Sequence, residues 1–402
     1  MTTQLTTSRA DRASPEVRGP GGGIRVLVMC ADIGEGHVTV ARSLADSLAQ
    51  RDDVAAVDFR TDLDVMGPRL GPFLTNGFRV HIDDVGWSYE LAYRVFFQLA
   101  GPRRAAHFAL AALGGRGLRR TIAESCADVV VVEYPVLSAT LGQLRALGRL
   151  AVPVCSSISD PAGLYYWAHP GIDLHLLSWP EALDEVERIA GSGKAAAVRP
   201  LVDPRFGHTA PPRDARAALE LSPERPVVMV SGGGWGLGDL TGAAEAALRA
   251  VPEAQVLCLA GRSERTLARL KALYGRDRRV RVLGFTERMP ELLAAADALI
   301  HTTGGTTALE ARVVGCPVIN YGTGPAHVRA HARAMAARGL AEWAPNRAAL
   351  PTALTKTLQR ARPAPLQTAQ LPDAAELVVA RARRSQNQVA AAASASAAGR
   401  EV

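Results

Sequence analysis

Cysteine and long apolar runs are scarce in this 402-residue sequence, and each shortage excludes a class of protein. The five cysteines are isolated and odd in number, which argues against a disulfide framework or a zinc site. No stretch approaches the roughly 18 uninterrupted apolar residues of a membrane span, and residues 1–20 lack the apolar core of a signal peptide. We therefore expect a cytoplasmic protein whose membrane contact is at most peripheral.

The net charge limits the classes of ligand that we expect, and the length limits the number of domains. The formal net charge is +7, and apolar residues make up 48% of the chain. This balance suits phosphate-bearing ligands or an anionic membrane surface. The charge is too weak and too dispersed to predict a nucleic-acid partner. The chain is long enough for two or three domains, each with a core of its own.

Apolar strands alternate with amphipathic helices along most of the chain, and the pattern starts twice. The first series begins at Ile24–Cys30, and the second begins at Pro226–Ser231, after a Pro- and Arg-rich linker around residues 198–212. Such alternation predicts parallel sheets with helices on both faces. We therefore predict an α/β protein with two doubly wound, Rossmann-like domains whose strand carboxyl ends face each other across a cleft.

The expected boundaries follow from composition. Residues 1–22 and 385–402 are expected to be disordered tails, and the two domains are expected over 23–200 and 201–384. The remaining predicted strands are Val54–Phe59, Asp128–Val132, Val152–Ser157 and Leu174–Ser178 in the first domain, and Gln255–Leu259, Val280–Leu283, Ala298–Thr302 and Pro317–Tyr321 in the second.

The sharpest chemical signal is a strand-to-helix turn on Gly304 and Gly305. Small residues let backbone N–H groups at the start of a helix approach a pyrophosphate, which the helix dipole also favours. Thr306 and Thr307 add hydroxyl groups, and Glu310 lies one turn later, where it can accept hydrogen bonds from ribose hydroxyls. The alternative is a plain strand–helix turn with a capping threonine.

A second glycine loop, Ser231–Gly238, also follows an apolar strand and contains Gly233 and Gly234. Glycine-rich backbone is entropically costly and is usually kept where the chain approaches a ligand closely. A glycine loop alone is weak support for a site. This one gains weight because it opens the same predicted domain as the turn at Gly304.

A third signal, Gly34-Glu35-Gly36-His37, follows the first strand and places an imidazole at the mouth of the predicted cleft. Histidine suits a general base that takes a proton from an acceptor hydroxyl. Asp160 follows another predicted strand and is positioned to orient such a base or to bind the acceptor. The alternative for His37 is a structural hydrogen bond at the start of a helix.

Residues 66–120 carry most of the aromatic side chains of the first half, interleaved with arginines. One interpretation is two ordinary amphipathic helices packed on the sheet. The other is a basic, aromatic surface that contacts lipid head groups. The two interpretations are compatible.

Two patterns that resemble metal sites are weak. Asp62-Leu63-Asp64 has the spacing of a metal-binding Asp-x-Asp, but no further ligand set accompanies it, so we expect a solvated turn. His327 and His331 lie one helical turn apart, a spacing that can bind a metal. Because no carboxylate or cysteine partner lies near them in the sequence, we expect a solvated or ligand-facing pair instead.

Together these segments resemble the monogalactosyldiacylglycerol synthase-like and processive diacylglycerol glycosyltransferases, which have the GT-B fold and are similar to glycosyltransferase family 28. More distantly, they resemble the transferase that adds N-acetylglucosamine to lipid-linked muropeptide. The resemblance spans about residues 24–342. It rests on Val28–His37, Ser159-Asp160, Trp167–Asp173, Val198–Phe206, Gly232–Gly234, Gly261-Arg262, Gly284-Phe285 with Met289, Gly304–Glu310 and Gly315-Cys316-Pro317.

The resemblance implies an inverting hexosyltransferase that moves a sugar from a UDP-sugar to a hydroxyl group of a lipid such as diacylglycerol. The first domain would bind the acceptor, and the second would bind the donor. The enzyme would work on the anionic inner face of the plasma membrane. No metal or other cofactor would be needed, because the helix dipole and Arg262 would stabilise the leaving UDP.

The resemblance also assigns residues. His37 would be the catalytic base, with Asp160 beside it. Phe285 and Met289 would lie near uracil, Gly305 to Thr307 at the diphosphate and Glu310 at ribose. The full donor site would comprise Gly233, Gly234, Arg262, Phe285, Met289, Gly304, Gly305, Thr306, Thr307 and Glu310, and the acceptor loop would comprise Gly34, Gly36 and Trp167.

Three positions depart from the family pattern. Glu35 replaces a glycine, Tyr134 stands where relatives have histidine, and Gly324–His327 replaces a Gln/Glu-containing motif that grips the donor sugar. These differences leave other functions to be weighed: a soluble natural-product glycosyltransferase, a non-catalytic nucleotide-sugar-binding protein and a UDP-sugar epimerase.

Overall fold

Two parallel six-stranded sheets form where the sequence has its two series of apolar strands. The computed structural model describes residues 23–32, 35–75, 90–322, 324–368 and 370–398. Every strand pairing within both sheets is parallel. Buried parallel strands read as continuous apolar runs, because helices cover both faces of the sheet. The predicted pair of doubly wound sheets is confirmed.

The first sheet has the order β2-β1-β3-β4-β5-β6. Its strands are β1 (Ile24–Cys30), β2 (Val54–Arg60), β3 (Val129–Glu133), β4 (Val154–Ile158), β5 (Leu174–Leu177) and β6 (Ala195–Ala197). The helices described in this half are α1 (Glu35–Ala49), α2 (Ala100–Ser125), α3 (Pro135–Ala146) and α4 (Leu183–Ala190), with a π-helix at Tyr93–Gln98 and short 3-10 turns at Leu63–Met66 and Pro180–Ala182.

The second sheet has the order β12-β11-β10-β7-β8-β9. Its strands are β7 (Val227–Ser231), β8 (Gln255–Leu259), β9 (Val280–Leu283), β10 (Ala298–His301), β11 (Val318–Tyr321) and β12 (Glu342–Ala344). The remaining helices are α5 (Pro212–Ala218), α6 (Leu240–Ala250), α7 (Glu264–Tyr274), α8 (Met289–Ala295), α9 (Gly305–Val314), α10 (Ala326–Ala337), α11 (Leu350–Leu358) and α12 (Ala374–Ala398), and a 3-10 turn lies at Pro204–His208.

Two edge strands, β6 and β12, are absent from the strands that we predicted. Each has three residues, and each pairs with one neighbour alone. A segment this short carries too few residues for an apolar run or an alternation to be recognised. Its pairing is decided by the neighbouring strand rather than by its own pattern.

The C-terminal segment differs from expectation. We predicted a disordered tail from residue 385 and assigned residues up to 384 to the second domain. Instead, helix α12 continues from Ala374 to Ala398, and its buried residues, among them Val378 and Ala382, join the core beneath α1 and β1 of the first sheet. Alanine has the highest helix propensity, so an Ala-rich end that follows a docked first turn continues as a helix.

The two halves share a hydrophobic core. Trp167 and Trp179, which follow strands of the first sheet, lie in one buried cluster with Leu309 and Val313 of α9. An ion pair between Arg312 and Glu181 crosses the same boundary. The carboxyl ends of the two sheets therefore face each other across a packed boundary. Among the residues that the structure describes, no helix has both the length and the apolar character needed to cross a bilayer.

Candidate functional site

A pocket opens at the boundary of the two halves, beside the point where each sheet reverses its strand order. In the first sheet this point lies between β1 and β3, and in the second it lies between β7 and β10. Doubly wound sheets bind ligands at such switch points. The pocket of about 240 Å³ is lined by Gly36, Thr39, Asp203, Arg205, Phe206, Ser231, Gly233, Gly234, Leu259, Gly261, Gly284, Phe285, Thr286, Glu287, Met289, Pro290, Thr306, Thr307 and Glu310.

Glycine is required where the two glycine loops meet. Gly233 has φ +67°, and an ideal Cβ on it would lie 2.9 Å from Oγ1 of Thr303. An ideal Cβ on Gly305 would lie 2.8 Å from the backbone oxygen of Ser159 in the other half. The loops are also tied together, because Oγ1 of Thr302 donates a hydrogen bond to the Leu237 carbonyl at 2.5 Å. A side chain at either glycine would therefore separate elements that now touch.

Helix α9 points its N-terminus into the pocket. Gly305 is its first residue, so its first-turn N–H groups have no carbonyl partner within the helix and can bind an anion. Thr306 and Thr307 line the pocket at this turn, and Glu310 lines it one turn later. Burial raises the pKa of Glu310 to about 8, and the charge of Asp203 adds to the rise. The pocket thus holds a carboxyl group whose ionised form is disfavoured by burial.

Phe285 and Met289 form another part of the pocket wall. The Phe285 side chain is 50% exposed, and the guanidinium of Arg262 lies over its ring, 3.7 Å from the centroid. This stacking is a cation–π contact. Arg262 was expected to stabilise the leaving diphosphate, and the structure places its head over the aromatic ring of Phe285. A flat, partly exposed ring of this kind offers a stacking surface for a nucleobase.

His37 lies in the first turn of α1 and faces a buried acid. Its Nδ1 is 3.5 Å from Oε1 of Glu133, the last residue of β3. Glu133 is fully buried and also accepts a hydrogen bond of 2.6 Å from the Ser159 hydroxyl. Burial alone would lower the pKa of His37, but the hydrogen bond and charge of Glu133 outweigh it and raise that pKa. This pairing leaves Nε2 of the neutral imidazole as the proton-accepting atom.

Sequence analysis did not select Glu133, although a signal was present. It is an acid that closes an uninterrupted run of four valines, at the carboxyl end of a buried strand. A buried carboxylate at the carboxyl end of a parallel strand is costly unless it is hydrogen-bonded, and it therefore marks a candidate site.

Asp160 forms a second polar contact across the boundary. Its Oδ2 accepts a hydrogen bond of 2.9 Å from Nε1 of Trp167 and lies 3.7 Å from Nε2 of His331 on α10. Burial opposes ionisation, but the charges of His331 and His37 and the Trp167 hydrogen bond lower the pKa of Asp160. Trp167 is 2% exposed. It therefore donates its hydrogen bond to Asp160 from within the core and presents no surface to a large acceptor.

The histidine pair on α10 was expected to be solvated or ligand-facing, and burial of His331 removes the first alternative for that residue. His331 is 4% exposed, so it is not solvated, and Asp160 supplies the carboxylate partner that its sequence neighbours lack. The two imidazole rings of His327 and His331 lie 5.9 Å apart. In the described part of the chain, no group of three or more His, Cys, Asp or Glu side chains is arranged to hold a metal.

Asp62 and Asp64 are exposed around the buried Leu63, which is the solvated turn that we expected. Four of the five cysteines are buried free thiols, and Cys126 is exposed. Gly34 lies outside the described residues. An ideal Cβ on Gly36, its partner in the predicted acceptor loop, would lie 2.5 Å from Oγ1 of Thr306, so this glycine touches the start of α9.

The segment 66–120 contains a helix that packs on the sheet, as the first interpretation expected, and it also exposes apolar and basic side chains. Helix α2 packs against α3 and the sheet through a buried face that includes Leu118 and Ile122. The exposed residues along the helix include Phe108 and Leu113, at 53% and 69%, and Arg104, Arg116, Arg119 and Arg120. Phe73 is 71% exposed. Three further aromatic residues of this segment, Phe78, Trp87 and Tyr89, lie outside the described residues.

Comparison with known proteins shows which domain family the second half resembles. Residues 227–391 match the Glycosyltransferase family 28 C-terminal domain. This family 28 domain contains both glycine loops and helix α9. The expected resemblance to diacylglycerol glycosyltransferases is confirmed by two relatives. The processive diacylglycerol beta-glucosyltransferase of Bacillus subtilis (strain 168) is 22% identical over 79% of this chain and 82% of its own length. The probable chloroplastic monogalactosyldiacylglycerol synthase of Nicotiana tabacum is 22% identical over 73% of this chain and 57% of its own length.

Solved structures confirm the GT-B fold that was predicted. The glycosyltransferase SnogD from Streptomyces nogalater superposes with a TM-score of 0.54 at 16% identity, covering 90% of this chain and 100% of SnogD. Os79 from O. sativa in complex with UDP gives a TM-score of 0.54 at 15% identity, covering 89% of this chain and 100% of Os79.

Proposed function

We propose that this protein is an inverting glycosyltransferase that moves a sugar from a UDP-sugar to a hydroxyl group of a lipid acceptor such as diacylglycerol. The observation that carries the proposal is the pocket in which the N-terminus of α9, Glu310 and Phe285 are placed together, with His37 and Glu133 across the boundary. The family 28 domain and the names of the relatives support the same reaction.

The donor is proposed to lie along the pocket wall. The α9 N–H groups and the hydroxyls of Thr306 and Thr307 bind the diphosphate, because a helix N-terminus favours phosphate. The Glu310 carboxylate accepts hydrogen bonds from the ribose hydroxyls, and uracil stacks at Phe285 next to Met289. Gly233 and Gly234 leave room for the diphosphate to approach the backbone.

His37 is the proposed general base. The acceptor hydroxyl gives its proton to Nε2 of His37 while its oxygen bonds to the anomeric carbon. The bond from that carbon to the β-phosphate oxygen breaks in the same displacement, and UDP leaves with the electron pair. Glu133 stabilises the imidazolium that forms. The charge that develops on UDP is met by the N-terminus of α9, so we propose that no metal takes part.

The acceptor side is proposed to contact an anionic membrane surface through α2. The residues exposed along this helix include Phe108 and Leu113 and the arginines Arg104, Arg116, Arg119 and Arg120. Apolar side chains insert into the boundary of head groups and acyl chains, while arginines attract anionic lipids. This arrangement fits a peripheral enzyme of the inner face of the plasma membrane, whose acceptor never leaves the bilayer.

The direct test is UDP release. The purified protein is incubated with a panel of UDP-sugars, with and without liposomes that contain diacylglycerol, and released UDP is measured. We expect lipid-dependent release with one sugar. The variant His37→Ala is the control and is expected to bind UDP with wild-type affinity but to lose about 100-fold or more of the transfer rate. Binding of UDP without lipid-dependent turnover of any sugar would contradict the lipid acceptor.

A further inference from the structure

Helix α10 belongs to the second half of the chain but contacts the first half at three points along its length. The guanidinium of Arg329 pairs with the carboxylate of Glu90. Two residues later, Nε2 of His331 lies 3.7 Å from Oδ2 of Asp160. At the end of the helix, Nη1 of Arg338 donates to the Pro161 carbonyl at 2.8 Å. These contacts hold α10 across the boundary, beside the proposed reaction centre.

The first turn of α10 depends on Arg329. Pro325 occupies the position before the helix and makes no side-chain capping hydrogen bond. Nη1 of Arg329 instead donates to the Gly324 carbonyl at 2.6 Å and to Oε1 of Glu90 at 3.1 Å, while Nη2 donates to Oε2 of Glu90. A guanidinium that bridges a carboxylate and a carbonyl in this way fixes its geometry, which a lysine ammonium cannot do.

The Glu90 carboxylate places a negative charge at the N-terminus of α10. An anion at a helix N-terminus interacts favourably with the helix dipole and with N–H groups that have no carbonyl partner. The hydrogen bond from Arg329 holds the pKa of Glu90 below its usual range, and the backbone N–H of Ala326 contributes in the same direction. A carboxylate from the first half therefore supports the start of a helix in the second half.

The segment that carries Glu90 also reaches the surface and the aromatic core. It leads into the π-helix Tyr93–Gln98, and single π-helical turns are frequent at functional sites. Tyr93 is buried and stacks on Phe97, with ring centroids 4.8 Å apart. Leu91 and Phe96 are exposed at 53% and 45%. One short segment thus joins an apolar surface of the acceptor half to α10.

We propose that Glu90 is a positioning residue for sugar transfer: acting through Arg329, it fixes the first turn of α10 and thereby holds His331 against Asp160, opposite His37. This inference rests on the proposed function, because it places the His331–Asp160 contact next to the reacting sugar. It assigns to this chain a link between the two halves that is independent of the groups proposed to hold the nucleotide.

The test compares Glu90→Gln and Arg329→Lys with a matched control, Glu181→Gln. The Glu181–Arg312 pair also joins a carboxylate of the first half to a guanidinium of the second, but it reaches the last turn of α9 rather than α10. The full-length proteins are examined for UDP affinity by calorimetry, for the kcat of transfer to liposomes, and for hydrogen exchange of the α10 amides by mass spectrometry.

We expect both test variants to bind UDP as the wild type does and to lose about 10- to 100-fold in kcat, since misplaced groups near the reacting atoms cost rates of this size. The first-turn amides of α10 should exchange about fivefold faster, as for loss of a helix cap. Glu181→Gln should leave α10 exchange unchanged.

Wild-type kcat and α10 exchange in Glu90→Gln would overturn the inference. Equal acceleration of α10 exchange in Glu181→Gln would also overturn it, because any loosening of the boundary would then suffice. A wild-type protein that transfers no sugar would contradict the proposed function alone, and the α10 exchange of the variants would still decide whether Glu90 fixes this helix.

Discussion

Nδ1 of His37 lies 3.5 Å from Oε1 of the buried Glu133, although 96 residues separate them in the chain. They come together because β1 and β3 are neighbours at the point where the first sheet reverses its strand order. Parallel strands bring their carboxyl ends to one edge, so the residues that follow β1 meet the last residue of β3. The sheet topology thus supplies a histidine with a carboxylate partner.

Glu133→Gln removes the negative charge of this side chain and keeps its size and shape. We expect the transfer rate to fall about 10- to 100-fold, as when a hydrogen-bonding partner behind a functional histidine is removed. Glu133 raises the pKa of His37, and a base is active when it is unprotonated. The acid limb of the pH–rate profile should therefore move to lower pH in Glu133→Gln. UDP affinity, measured in parallel, is the control, and an unmoved acid limb would contradict the pairing.

Glu310 gives UDP binding a predictable dependence on pH. Its pKa is about 8, and ribose hydroxyls donate best to the ionised form. Binding therefore releases a proton below this pKa, and the affinity should increase by up to about tenfold per pH unit as the pH rises towards 8, then level off. Calorimetry in buffers of different ionisation enthalpy measures the released proton. Glu310→Gln should bind more weakly and without this slope; proton uptake by the wild type would contradict the ribose contact.

Gly36→Ala tests whether the transfer reaction needs the close contact between α1 and the start of α9. The new Cβ would lie 2.5 Å from Oγ1 and 3.3 Å from Cβ of Thr306, and it would push the start of α9 away from α1. We expect a transfer rate reduced about tenfold or more. Gly101→Ala is the matched control, because its Cβ would meet nothing within 4 Å; equal rates in the two variants would count against this contact.

The part of the site that could be predicted from sequence is the part made by local chain geometry. The turn at Gly304 and Gly305 lies between a strand and a helix that are adjacent in sequence, and glycines punctuate such turns. For the same reason His37 and Glu310 could be selected, since each lies within about one helical turn of a loop after a strand. All of these residues are found at or beside the pocket.

The partners of these residues could not be predicted, because each comes from a distant part of the chain. Glu133 reaches His37 across 96 residues, and Glu90 reaches Arg329 across 239. Asp160 pairs with His331 only after the two halves have packed together. Such pairs depend on strand order and on the angle between the sheets, and neither leaves a periodic pattern in the sequence.

Leu113→Ser tests the proposed contact of α2 with lipid. Its side chain is 69% exposed on α2, with the exposed Arg116 three residues later on the same side of the helix, and burying a leucine is worth about 1.5–3 kcal/mol. If this face enters the head-group region, binding to anionic vesicles should weaken about tenfold or more, and salt should weaken it further because arginines attract the lipids. Leu273→Ser is the matched control, since Leu273 is 59% exposed on α7 in the other half. Vesicle flotation measures both variants. Equal losses would mean that exposed leucines bind lipid without regard to place, whereas a loss confined to Leu113→Ser identifies α2 as the membrane-facing surface.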